Sequence, residues 1–439
     1  MNRLASGTIA EKAAPQGAAL LLLVSLSTCC LPGCDEQQPA PSASASASAP
    51  TSPVRASAMV PAAASFDPLR PYTGKPTPGD IAVGNMNSQI DGREKILSKG
   101  ENLQLSAGQV GAYLSRTQYL GTYADFDLAE KLVKQAMQKH AKEPAVLLMK
   151  ASVDGALHRF DEALKTLDEA LKAGAAEDKV KKQRETIWMA RGEHLDEILP
   201  ARKATAEKYP GYATLTALAV AQMTAGEFEA ADKSFIEAVR KYRDVSPFPV
   251  AWVSFQRGVM WAEYAGKPEK ALPLYREAVA LLPQYVVANV HLAELEREAG
   301  NKDEAKKLLL SVLKPDGDPE PASVLAELLK DSAPEEAAKY TAQAKAGYES
   351  LLKRYPLAFS DHACEFYLGP GADPKRAQAL AEQNLKNRAT ERAFSLAIEA
   401  SLANKDTKRA CELAKDPRLA SPKNPDVAKL RDTTKQGCK

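Results

Sequence analysis

The stretch FDEALKTLDEALKAG, residues 160–174, carries apolar residues at helical spacing, and nearly all of them are small or medium in size. A helix of this kind has too little apolar surface to stand alone. An earlier stretch, FDLAEKLVKQAMQK (residues 126–139), aligns with it when Ala129 is set against Ala163, 34 residues apart. Two further steps of the same size reach Glu197 and Ala231, and GEFEAADKSFIEAVRKY (residues 226–242) repeats the opening pattern. A fixed period in this range marks units that each need their neighbours to bury a face.

The next anchor, Ala271, follows Ala231 by 40 residues, and the excess falls in the proline-rich loop DVSPFP; Ala305 then restores the step of 34. The unit at Glu197 has diverged but keeps Gly192 at its turn, with Ala201 and Ala204 on the expected packing face. Weaker units follow around Ala338, Ala377 and Ala410. The segment NPDVAKLRDTTKQ reads as a final polar-faced helix. Aromatic residues are 6% of the chain and charged residues 26%, a composition suited to many helices.

This pattern resembles the tetratricopeptide repeat family from about residue 108 to the C-terminus. It carries small residues where paired helices cross (Ala151, Ala219, Ala293) and turn glycines (Gly226, Gly266, Gly300). Four residues after the anchor alanine stands an aromatic or leucine (Leu167, Phe235, Tyr275, Leu309), and three later another alanine (Ala170, Ala238, Ala278); Pro283 takes an inter-repeat place. The resemblance implies an all-α, right-handed α-solenoid of about nine helix pairs, residues 108–423, with a capping helix over residues 424–439.

The N-terminus has the layout of an export signal: Arg3 and Lys12 precede the apolar run AALLLLVSLSTCC, which is short for a membrane span. LPGC (residues 31–34) resembles the lipobox of bacterial lipoproteins, with Cys34 as the lipid acceptor. Pro32 departs from the usual small residue, Cys29 and Cys30 fit less well, and an ordinary cleaved signal is the alternative. The expected organisation is a signal over residues 1–33 and a Pro/Ala/Ser-rich disordered tether over residues 34–65. An N-terminal extension follows over residues 66–107, its first part made of turns and at most one short helix. Asp35 resembles an inner-membrane retention signal of some enteric bacteria; the expected location is nonetheless the outer membrane, facing the periplasm.

With 58 basic and 56 acidic residues the chain has no general attraction to nucleic acid. It contains no phosphate-binding glycine loop, no Cys-x-x-Cys and no His-Glu-x-x-His. No metal or other cofactor is expected. Asp316, Asp318 and Glu320 in KPDGDPEP lack the further ligands of a calcium loop and read as a solvated turn. His140, His158, His194 and His291 show no ligand spacing. His362 and Cys364 could pair as base and thiol, but residues two apart on a helix diverge, so an exposed histidine beside a buried structural cysteine is the expectation. Export places the chain in an oxidising compartment, where antiparallel packing of the last helices would bring Cys411 and Cys438 together as a disulfide.

The family resemblance also implies a concave groove lined by the first helix of each pair. Its places fall on Leu148 and Ser152, Lys182, Val220 and Met223, then Gln256, Met260 and Glu263, then Glu294 and Arg297. Some members clamp peptide carboxylates; here Lys182 matches one clamp place, but Thr186, Ala213 and Ala217 occupy others, so that function is not implied. The expected protein is a lipid-anchored envelope scaffold that binds protein or peptide partners without catalysis. The alternative is a hydrolase or enzyme accessory with a cleft around His362 and Cys364.

Overall fold

The computed structural model describes residues 67–438. The expected signal, the tether and the lipid acceptor Cys34 lie outside the described residues. Those described form an α-solenoid of twenty α-helices without strands.

Helix α1 (Gly79–Leu97) is followed by nine helix pairs. They are α2 (Leu103–Leu120) with α3 (Ala124–His140), α4 (Pro144–Ala156) with α5 (Phe160–Lys172), and α6 (Glu177–Arg191) with α7 (Leu195–Lys208). Next come α8 (Tyr212–Ala225) with α9 (Phe228–Lys241), α10 (Pro247–Val259) with α11 (Pro268–Leu281), and α12 (Val286–Glu298) with α13 (Lys302–Val312). The last three are α14 (Glu320–Leu329) with α15 (Pro334–Arg354), α16 (Ser360–Leu368) with α17 (Pro374–Asn387), and α18 (Glu391–Ala403) with α19 (Thr407–Ala414); α20 (Pro425–Gln436) closes the stack. A π-helical turn, Met260–Tyr264, extends α10.

The anchor alanines explain the pairing. Ala129, Ala163, Ala231, Ala271, Ala305, Ala377 and Ala410 are all fully buried, as are Ala151, Ala219 and Ala293 on facing helices. Small side chains let the two helices of a pair approach closely, while Leu167, Phe235, Tyr275 and Leu309 fill the adjoining space. The opening stretch becomes α5, with Phe160, Ala163, Thr166, Leu167 and Ala170 buried.

Three local expectations are corrected. In α7 the buried face is Ile198, Arg202 and Ala206, and Ala204 is exposed. Arg202 occupies the place of a large packing residue because its guanidinium is satisfied there, by Glu185 at 3.2 Å and the Ala217 carbonyl at 2.9 Å. In α15 the buried alanine is Ala337, and its neighbour Ala338 is exposed. The N-terminal extension holds a 19-residue helix, α1, because Ala82, Met86 and Ile90 recur every four residues and bury one stripe.

The solenoid closes on itself. The turn within the first pair meets the loop before α14, where the Tyr123 hydroxyl donates to Asp318 at 2.8 Å. In the second pair His158 takes the turn position with φ 55°; its Nδ1 lies 3.2 Å from the Leu357 carbonyl, and Asn387 donates to the His158 carbonyl at 3.1 Å. The later turns at Gly192, Gly226 and Gly266 face Ala389, Lys423 and Pro425 in order. The Asn424 side chain also donates to the Glu263 carbonyl. Each turn in the first half thus rests on a loop or helix start of the second half. Cys411 and Cys438 form a disulfide with Cα atoms 5.8 Å apart, fixing α20 to α19.

Candidate functional site

The inner faces of α10, α12, α14, α16 and α18 meet around the solenoid axis, and the residues they bring together are charged. Glu263 from the π-helical turn, His291 and Glu294 from α12, Glu320 from α14, Asp361, His362 and Glu365 from α16, and Arg392 from α18 influence one another's ionisation. Arg388, just before α18, donates to Asp361 at 2.6 Å, and Arg392 to Glu365 at 2.6 Å.

Burial sets the protonation states. It raises Glu263 to about 8 and Glu365 to about 8, the Arg392 charge opposing in both cases, and it holds Glu294 well above the carboxylate range. His362 is burdened by the same desolvation, but the Asp361 and Glu320 carboxylates lift it to about 10. Burial also opposes ionisation of Glu320 and Asp361, yet the His362 charge, joined for Asp361 by Arg388, lowers both from their ordinary values. His291 Nδ1 stands 3.2 Å from Glu263 at ion-pair spacing. Desolvation nevertheless holds His291 down to about 4, so at neutral pH the contact joins two neutral groups.

The groove expected from sequence is therefore largely closed. Val220, Met223, Gln256, Met260 and Glu294 are buried, and the Glu263 side chain is 11% exposed. Glu263 and Glu294 lie at the packed axis, where charged residues of α14 and α16 cover the face that an open superhelix would present. Both side-chain amide atoms of Gln256 are buried without a hydrogen-bond partner. Leu148, Ser152 and Arg297 are half-buried and Lys182 is exposed, so these four retain access to solvent.

Two further readings are corrected. His362 is buried, paired with Glu320 at 3.7 Å and Asp361 at 3.9 Å. Cys364 is free but fully buried, and burial pushes its thiol well above the ordinary range, so no open cleft joins it to a base. Asp318 and Glu320 are not a solvated turn: Asp318 accepts from Tyr123 and from the Glu320 backbone N–H at 2.9 Å. Among the described residues no group of His, Cys, Asp and Glu has the arrangement of a metal site. No described helix is long and apolar enough to cross a membrane.

Sequence reasoning placed Glu263 and Glu294 on the inner face and read Glu320 as part of a solvated turn, but it did not join Glu320 or Glu365 to them and missed Arg388 and Arg392. The only regularity that pointed to the arginines is that Asp361 to Arg388 and Glu365 to Arg392 each span 27 residues, a spacing that does not by itself mark a pair.

Residues 263–328 match the tetratricopeptide repeat family model. This repeat segment runs from the π-helical turn through most of α14 and supplies Glu263, His291, Glu294 and Glu320 to the axial cluster. No curated protein sequence matches the chain. Among solved structures, the chain is similar to the APC/C hetero-tetramer Cut9–Hcn1 at 13% identity and TM-score 0.41, over 75% of this chain and 62% of that one. It is similar to the human IFIT1 dimer with PPP-AAAA at 14% identity and TM-score 0.44, over 76% and 78%. It is also similar to yeast Tom70 at 14% identity and TM-score 0.31, over 82% and 95%. The chain thus spans less than two thirds of the first of these.

Proposed function

We propose that the protein is a non-catalytic scaffold of the bacterial cell envelope, probing its surroundings for protein or peptide partners while a lipid on Cys34 holds it to the outer membrane, facing the periplasm. The observation that carries this reading is the run of nine stacked helix pairs, which leaves an extended solvent-facing surface even though its axis is packed. The buried thiol of Cys364 favours binding over nucleophilic chemistry. The tetratricopeptide match supports recognition of polypeptide, and LPGC supports the anchor.

The partner surface is centred on the expected groove residues that keep access to solvent: Leu148, Ser152 and Lys182 in the second and third pairs, and Arg297 on α12. The test is capture of envelope proteins by the intact lipoprotein and by the Ser152→Arg, Lys182→Glu, Arg297→Glu triple variant at matched helicity. The variant is expected to lose most capture, since a few contacts usually dominate an interface. Undiminished capture would remove this surface from the reading. Cys34→Ser should release the protein from membranes or leave it unprocessed, because each buried acyl methylene contributes about 0.8 kcal/mol; equal retention and processing would refute the anchor.

A further inference from the structure

Residues 67–78, DPLRPYTGKPTP, precede α1 and form no regular secondary structure, yet they are held against the solenoid like a bound peptide. The buried guanidinium of Arg257 on α10 donates to the Pro68 carbonyl at 2.8 Å and is braced by Asp232 at 2.7 Å. Arg70 reaches Glu277 on α11 at 2.9 Å, an exposed cation meeting a carboxylate only 14% exposed. Pro71 is buried, and the Tyr72 ring lies 5.8 Å from that of Tyr242 while its hydroxyl donates to the Asp244 carbonyl at 2.6 Å. The Thr77 N–H donates to the Val245 carbonyl at 2.7 Å.

We propose that this groove is a docking site for a proline-restricted segment of a partner protein carrying a basic residue, then proline, then an aromatic, and that residues 67–78 occupy it in cis. The proposal rests on the scaffold reading and names a second partner site and its chemistry. Four prolines restrict the strap before it binds, and a turn closed by the Arg70 N–H on the Asp67 carbonyl at 3.1 Å sets its first residues, so little entropy is lost on seating. Backbone carbonyl contacts serve any extended chain. Selectivity comes from Glu277, which needs a cation opposite it, and from the tyrosine pair, which accepts a ring. The fit is also incomplete: a cavity of about 140 Å³ remains beneath the strap, bordered by Tyr72, Val250, Ser254 and Leu281. That space accommodates a bulkier apolar side chain than the strap supplies.

A tethered strap acts at a high effective concentration, so a peptide in trans binds the wild type weakly. The probe is a fluorescent synthetic peptide of residues 67–78, titrated against the full chain by anisotropy. Unseating the strap with Tyr72→Ala should tighten peptide binding by about tenfold or more relative to wild type. Arg70→Glu, at an exposed side chain, is the second unseating variant and should act in the same direction. Adding Glu277→Lys to Tyr72→Ala should abolish the gain, and a peptide with glutamate in place of its arginine should restore it. Equal binding by wild type and both unseated variants, or none by any of them at matched melting temperature, would overturn the proposal, as would a wild-type dimer held by exchanged straps. If the peptide fails to bind while the Ser152, Lys182, Arg297 variant loses capture, this inference alone falls. If the peptide binds as expected while that variant captures normally, the groove stands and the earlier surface does not.

Discussion

Arg388 Nη2 lies 2.6 Å from Asp361 Oδ2, and both side chains are 1% exposed. Removing one member of such a pair leaves an uncompensated charge in the interior. Arg388→Met is expected to lower stability by about 3–5 kcal/mol, whereas Arg388→Met combined with Asp361→Leu should recover only part of that loss, because buried His362 then loses the Asp361 carboxylate. Urea unfolding followed by circular dichroism checks both, and a double variant as unstable as the single one would contradict the pairing.

Stability should fall on the alkaline side of neutrality. Glu263 and Glu365, both raised to about 8 from 4.5, favour the folded state while protonated. Their contribution is complete below the unfolded value and lost as pH rises to about 8. His362, raised from 6.5 to about 10, contributes while charged and loses that contribution as pH rises through 10. These changes share a sign between pH 6.5 and 8. The titratable groups around Glu263 include His291, Glu294, Glu320, His362, Glu365 and Arg392. The melting temperature should therefore drop steadily from pH 6.5 to 10. Glu263→Gln should flatten the portion below pH 8 by on the order of 1 kcal/mol. A profile for Glu263→Gln identical to wild type would refute the assignment.

Two turn glycines separate backbone strain from contact between the two halves. Gly300 has φ 88° and nothing near an added Cβ, while Gly266 has φ 61° and would place that Cβ 2.8 Å from Pro425. Gly300→Ala should cost about 1–2 kcal/mol for the left-handed backbone alone. Gly266→Ala should cost more and raise hydrogen exchange in α20, since Pro425 begins that helix. Equal costs, with α20 unaffected, would mean that the contact contributes nothing.

The helix pairs were legible because a 34-residue register fixes which residues each helix presents to its partner, and Ala163, Ala231, Ala271 and Ala305 hold that register. Divergence blurred it in α7, where Arg202 could take an apolar place only because Glu185 and the Ala217 carbonyl wait opposite. The same register put Glu263 and Glu294 on the inner face, but periodicity does not state what lies across the axis. Contacts such as His158 with Leu357 join residues 199 positions apart. Nothing in the local pattern around His158 signals that distance, and its nearest clue is that it stands where neighbouring units carry glycine. The strap was illegible for a related reason: prolines mark a restricted, non-helical segment without marking the surface that receives it.

An open solenoid stretches like a loose spring and unravels unit by unit from its ends, because each repeat touches only its neighbours. Here the turns of the first five pairs press against loops and helix starts of the second half, in sequence from Asp318 to Pro425. A coil whose windings touch resists extension until those contacts shear, and then lengthens abruptly. Tension applied between the N-terminal strap and α20 would accordingly meet a stiff body with a yield point rather than a compliant one.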